Sequence, residues 1–208
     1  MNAAIERRPC LREPIPEIER AAVLMNEAAE AHLAGDRQRT ADLLLQSNLP
    51  AVRAWCESLW EQESPYIPKH KKMGLPAPLP KEARAVPHAP SSELKKALIA
   101  RDGYRCRFCG IPVIRHEVRD RVRKLYPDVP LWGNLTSQQH AGFQTLWLQY
   151  DHIVPHSRGG RTDLENMVIT CAPCNFGRMD YTLEEVGLLD PRDRPPVGSN
   201  WDGLERFR

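Results

Sequence analysis

The chain has 208 residues, a formal net charge of +2, 41% hydrophobic and 27% charged residues. That is the make-up of an ordinary globular protein with room for one medium domain or two small ones. It holds no run of about 18 apolar residues, and its start, MNAAIERRPCLREP, lacks the apolar core of a secretory signal. No membrane span is therefore predicted, and a cytoplasmic location is expected.

Residues 1–15 show no usable period. From Pro16, the apolar positions Ile18, Ala22, Met25, Ala29 and Leu33 recur at steps of three and four, which predicts an amphipathic helix ending at Gly35. Asp36 is placed to cap a second helix carrying Ala41, Leu44 and Leu45. A third is expected from Pro50 to about Glu61, burying Val52, Trp55, Leu59 and Trp60. His32 is read as a helix-face residue and Cys56 as a small apolar filler. Residues 16–63 hold nine acidic and four basic side chains, and no chemical constellation.

Seven prolines fall between residues 64 and 90, which predicts an extended linker. Its cluster Lys69, His70, Lys71, Lys72 is read either as a phosphate contact or as a solubilising tract. Ser91 or Ser92 then caps a helix from about Glu93 to Asp102, stopped by Gly103. Residues 93–124 hold ten basic and four acidic side chains, the segment where a polyanion would be met unless it is only a solvated face. Within it, Arg115 to Tyr126 is expected to be a basic helix. Thr136 is expected to cap another that runs through Gln139 and Phe143.

Four of the six cysteines stand in two Cys-x-x-Cys pairs, Cys106 with Cys109 and Cys171 with Cys174. Two thiolate knuckles suit a closed tetrahedral zinc site. The span from 109 to 171 exceeds the roughly 15–20 residues of simple zinc ribbons, so residues 111–146 are read as an insertion that folds away. Residues 144–153 favour a strand, 155–166 a polar loop, and Met167 to Thr170 a return strand. A helix following Cys174 would carry Asn175 and Arg178. Such a hairpin with a helix across it would bring Asp151 and Asn175 to one ion. Their hard oxygens suit Mg²⁺ or Mn²⁺, and His152 has a side chain suited to act as a base near neutral pH. Leu183 to Leu189 is expected to form a short helix. The tail WDGLERFR is expected to dock Trp201, Leu204 and Phe207 onto the body.

The series Cys-x-x-Cys-Gly, Asp-His-Ile-x-Pro, Gly-Gly, Asn, Cys-x-x-Cys-Asn resembles the HNH endonucleases of the ββα-metal fold, in the branch with a four-cysteine structural zinc. The resemblance covers roughly residues 93–180 without the insertion. It implies an α+β nuclease domain at 93–190, which joins the small helical region at 1–63, the linker at 64–92 and the tail at 191–208 read from the residues above. It also implies roles. His152 would be the general base, Asp151 and Asn175 the ligands of a catalytic Mg²⁺ or Mn²⁺, and Asn166 the brace that helps orient His152. Cys106, Cys109, Cys171 and Cys174 would hold zinc. Water would attack a DNA phosphodiester in line and leave 5′-phosphate and 3′-hydroxyl ends. His156 is read as a third ligand, a phosphate contact or a loop residue, and Arg158 and Arg178 as candidate phosphate contacts. The acidic helices are expected to meet a protein partner. The rival reading is a zinc-stabilised nucleic-acid-binding module without catalysis, which leaves Asp151, His152, Asn166 and Asn175 as coincidence.

Overall fold

The computed structural model describes residues 7–60, 64–67, 77–86 and 88–207. The cluster Lys69 to Lys72 lies outside them. Among the described residues the chain has eight α-helices and one two-stranded antiparallel sheet.

Helix α1 runs over Pro16–Leu33, with Pro16 opening the first turn. A proline there loses nothing, because its missing N–H would have no intrahelical acceptor. Helix α2, Arg37–Gln46, is capped by Asp36, whose carboxylate accepts from the Arg39 amide at 3.0 Å. Helix α3, Pro50–Glu57, stops four residues short of expectation. The small side chains Ala21, Ala22, Ala28 and Ala29 are fully or almost fully buried on α1. They let α2 and α3 pack closely around Met25, Leu44 and Trp55, and each large apolar side chain so buried contributes roughly 1.5–3 kcal/mol.

Helix α4, Ser92–Asp102, has Ser91 as its cap (3.2 Å to the Leu94 amide) and ends at Gly103 with φ +65°. Helix α5, His116–Leu125, buries Val118 and Val122. Beyond it the sequence reading is corrected. Thr136–Gln138 is a 3-10 turn, and the helix that follows, α6 at Ala141–Thr145, is capped by His140 instead. The strands β1, Leu148–His152, and β2, Met167–Cys171, pair in a register that sets Asp151 opposite Val168 and His152 opposite Met167. Helices α7, Ala172–Arg178, and α8, Leu183–Val186, complete the order.

The segment 111–146 does not fold away from the hairpin. Ile114 bonds to both Leu146 and Leu148 (2.6 and 2.8 Å), so the segment starts as a short companion to β1. It also joins the N-terminal helices to the sheet. His140 Nε2 lies 2.8 Å from the Leu44 carbonyl, Arg53 donates to the Thr136 carbonyl at 2.8 Å, and His32 Nδ1 meets the Tyr126 hydroxyl at 2.8 Å. The tail docks as expected, with Leu204 and Phe207 fully buried and Phe207 stacked on His32. One hydrophobic cluster runs from Cys10 to Phe207. Most of the apolar faces of α1 to α3 are thus covered by the chain itself, whereas Leu33 and Leu45, expected on the apolar stripes, are 59% and 48% exposed.

Several arginines of the basic segment 93–124 act as internal staples. Arg107 donates to the Arg194 carbonyl at 2.6 Å, Arg121 to the Phe207 carbonyl at 2.6 Å, and Arg115 pairs with Glu205 at 2.6 Å. Arg119 stacks 3.9 Å from the Trp132 ring centre. A guanidinium is well suited to this, because its planar fork satisfies several carbonyls at once.

Candidate active site

Cys106 and Cys109 sit on a tight turn closed by Gly110 (φ +78°), whose amide bonds to the Cys106 carbonyl at 2.9 Å. The Arg107 amide donates to the Ile169 carbonyl at 2.9 Å, which docks this turn on β2. Cys171 ends β2 and caps α7, and Cys174 follows one turn later on the same face. The sulfur atoms of the four residues all lie within 4.8 Å of one another, with Cys109 and Cys171 at 3.6 Å. Thiolates around a tetrahedral zinc, with bonds of about 2.3 Å, stand about 3.8 Å apart. The four residues therefore fit a structural zinc. Burial pushes the Cys109 and Cys171 thiols up, so the cluster needs a cation to hold charge.

On the other side of α7 lies a cleft of about 670 Å³. Asp151, His152, His156, Asn175 and Arg178 all line it. Asp151 is buried and forked by Arg178, at 2.6 Å to Oδ1 and 3.3 Å to Oδ2. Burial raises the Asp151 carboxyl, and the guanidinium opposes that rise. Each carboxylate oxygen offers two lone pairs, so acceptance from Arg178 still leaves sites for a cation. Asp151 and Asn175 share the cleft and are hard oxygen donors, which fits Mg²⁺ or Mn²⁺ better than a soft metal.

Arg178 itself is 1% exposed and also donates to the carbonyls of His152 and Tyr181, the latter at 2.8 Å. Every bond made by its fork is internal. Breaking such a buried pair costs roughly 3–5 kcal/mol, so Arg178 holds α7 to the end of β1. Arg158 pairs with Glu185 at 3.2 Å and is half-buried.

Asn166 braces the loop between the strands. Its amide oxygen accepts from the Val154 N–H at 2.9 Å, and its amide nitrogen donates to the Arg161 and Val154 carbonyls at 2.9 and 3.1 Å. Gly160 allows this closeness, since a Cβ there would lie 1.8 Å from the Val154 carbonyl oxygen. The brace holds the chain that leaves His152.

The state of His152 follows from its partners. Its Nε2 lies 2.9 Å from the Thr162 hydroxyl, and that hydroxyl donates to the His88 carbonyl at 3.2 Å. A hydroxyl has one proton, and a carbonyl can only accept. Thr162 therefore accepts from His152, Nε2 carries the hydrogen, and Nδ1 keeps its lone pair. Burial, followed by the imidazoles of His88 and His156, lowers the His152 pKa to about 4, so the ring is neutral at ordinary pH. The His88 ring lies parallel to that of His152 at 5.6 Å and tilted against His156 at 4.5 Å. His156 donates through Nε2 to the Ala85 carbonyl.

The sequence pointed to the residues of the β1–β2–α7 unit but not to Thr162, His88 or Lys95. His88 and Lys95 reach the cleft, and Thr162 reaches His152, through contacts that no local spacing marks. No curated protein and no solved structure matches the chain. A family model described as HNH endonuclease matches residues 142–178, the stretch spanning β1, the braced loop, β2 and α7. The chain thus carries an HNH endonuclease-family unit, built as two antiparallel strands and a helix beside a four-cysteine cluster.

Proposed function

We propose that this chain is a metal-dependent endonuclease that hydrolyses DNA phosphodiester bonds. The observation that carries the reading is the convergence of Asp151, His152 and Asn175 on one cleft, on elements tied together by the thiol cluster. Asp151 and Asn175 would hold the divalent cation, which would offset negative charge as the phosphodiester is cleaved. His152 Nδ1, unprotonated because Nε2–H is spent on Thr162, takes the proton of the attacking water. Asn166 keeps the loop, and with it the imidazole, in place. A zinc held by Cys106, Cys109, Cys171 and Cys174 would take no part in the chemistry and would join the two knuckles into one frame.

Supercoiled plasmid with Mg²⁺ or Mn²⁺ tests this. The wild-type chain is expected to nick or linearise it, and His152→Ala to abolish cutting while zinc stays near one per chain. A wild type that binds DNA but cuts with neither ion would instead make the chain a binding module.

A further inference from the structure

The cleft has a wall that the family-matched segment does not supply. Residues 77–86 and 88–90, from the proline-rich stretch, lie against the loop that follows β1. The Leu79 amide donates to the Ser157 carbonyl at 2.7 Å, the Ala85 carbonyl accepts from His156, and the His88 carbonyl accepts from Thr162 at 3.2 Å. Leu79 also packs over Gly159, where a Cβ would sit 3.4 Å from its Cδ1.

This strap brings Lys81 and Arg84 to the cleft, and Lys95 on α4 continues the row. Among the described residues none of the three makes an ion pair. Arg84 donates to the Leu79 carbonyl at 2.9 Å, and the Lys95 ammonium stands 5.6 Å from the centre of the Tyr150 ring. The acidic side chains lining the cleft are Asp180 and Asp151, and Asp151 is already matched by Arg178. Three cations against the single unmatched carboxylate of Asp180, in a concave site, focus a positive potential that draws anions. The cleft has room for the scissile phosphate and the nucleotide around it, not for a duplex. The neighbouring phosphates must therefore lie along its rim. A strap that served as a removable lid would take with it the carbonyl that sets the His152 tautomer through Thr162.

We propose that the described residues of this strap (77–86 and 88–90) and Lys95 form a phosphate-gripping wall, in which Lys81, Arg84 and Lys95 bind the backbone of the strand on either side of the scissile phosphate. The assignment rests on the nuclease reading above and adds the surface that holds its substrate.

The test measures binding of a fluorescent DNA duplex by the full zinc-loaded chain carrying His152→Ala, over a range of salt. Each phosphate that is no longer neutralised should lower the slope of log K against log salt by about 0.9. Lys81→Ala, Arg84→Ala and Lys95→Ala together should therefore lower it by about 3 and weaken binding at low salt. Lys81→Arg with Lys95→Arg should preserve it. If the triple variant does not fold, as judged by zinc content and melting temperature, Lys81→Ala and Lys95→Ala alone should each lower the slope by about 1. Unchanged slope and affinity in folded variants overturn the proposal. So does tighter binding, which would make the strap a cover that competes with DNA. Either result beside a wild type that cuts plasmid removes the wall and leaves the nuclease reading standing. A wild type that never cuts removes that reading itself.

Discussion

At the scale of single residues, the tautomer of His152, the proposed base, is set by a chain of three groups. His152 donates to Thr162, and Thr162 donates to the His88 carbonyl. Replacing Thr162 by Val removes the acceptor for Nε2–H while keeping the shape. Cutting should then slow by about 10–100-fold, the usual effect of removing the partner that orients an active-site imidazole. The loss should fall on kcat with KM little changed, and Thr162→Ser should restore most of the rate. Equal kcat in Thr162→Val and wild type would show that the hydroxyl does not orient the base. The gathering of Asp151, His152 and Asn175 on one cleft, and of the four cysteines into one cluster, was legible in the sequence because it follows local spacing in the hairpin, the helix and the two knuckles. Arg178 was legible in position but not in role. A guanidinium one turn past the second knuckle reads as a phosphate contact until Asp151 is seen to face it. Thr162 looked like an ordinary loop residue, since its meaning depends on a carbonyl some seventy residues earlier.

At the scale of elements, the helices that begin with a proline or a capping side chain could be placed from the sequence: α1 at Pro16, α2 after Asp36, α4 after Ser91. The exception is α6. Thr136 has the right chemistry for a cap, but the helix begins at His140, whose Nδ1 accepts from the Phe143 amide at 3.3 Å while Nε2–H donates to the Leu44 carbonyl. This one imidazole caps α6 and ties it to α2. A second ring proton would oppose the Phe143 N–H, and burial lowers the His140 pKa from 6.5 to about 4. The unfolded chain therefore takes up a proton between pH 6.5 and 4 that the folded chain refuses. Stability from this group is full above pH 6.5 and declines as the pH falls through that window, by roughly 3 kcal/mol at its full extent. Urea unfolding at about pH 7 and about pH 4.5 should show a steeper loss for wild type than for His140→Gln. Equal losses would mean that His140 titrates normally.

At the scale of the whole molecule, the family-matched unit is a small part of the chain, and its surroundings supply what it lacks. The strap closes one side of the cleft, and the segment 111–146 bridges the hairpin to α1, α2 and α3. The tail seals that junction with Phe207 against His32. The apolar residues of the tail foretold its docking, but the sequence carries no local sign of the other two joins. A proline-rich run signals extended backbone equally well as a free linker or as a strap, and only the bonds of Leu79, Ala85 and His88 distinguish the two.

The central claim is that Asp151 and Asn175 hold one catalytic cation beside His152. Titration of Mn²⁺ into the zinc-loaded chain, followed by the electron paramagnetic resonance of free Mn²⁺, tests it most directly. The wild type should take up one Mn²⁺ per chain beyond its zinc, and Asp151→Asn and Asn175→Ala should each weaken that binding by about tenfold or more. Mn²⁺ uptake that is unchanged in both variants, with zinc content and folding intact, would contradict the account.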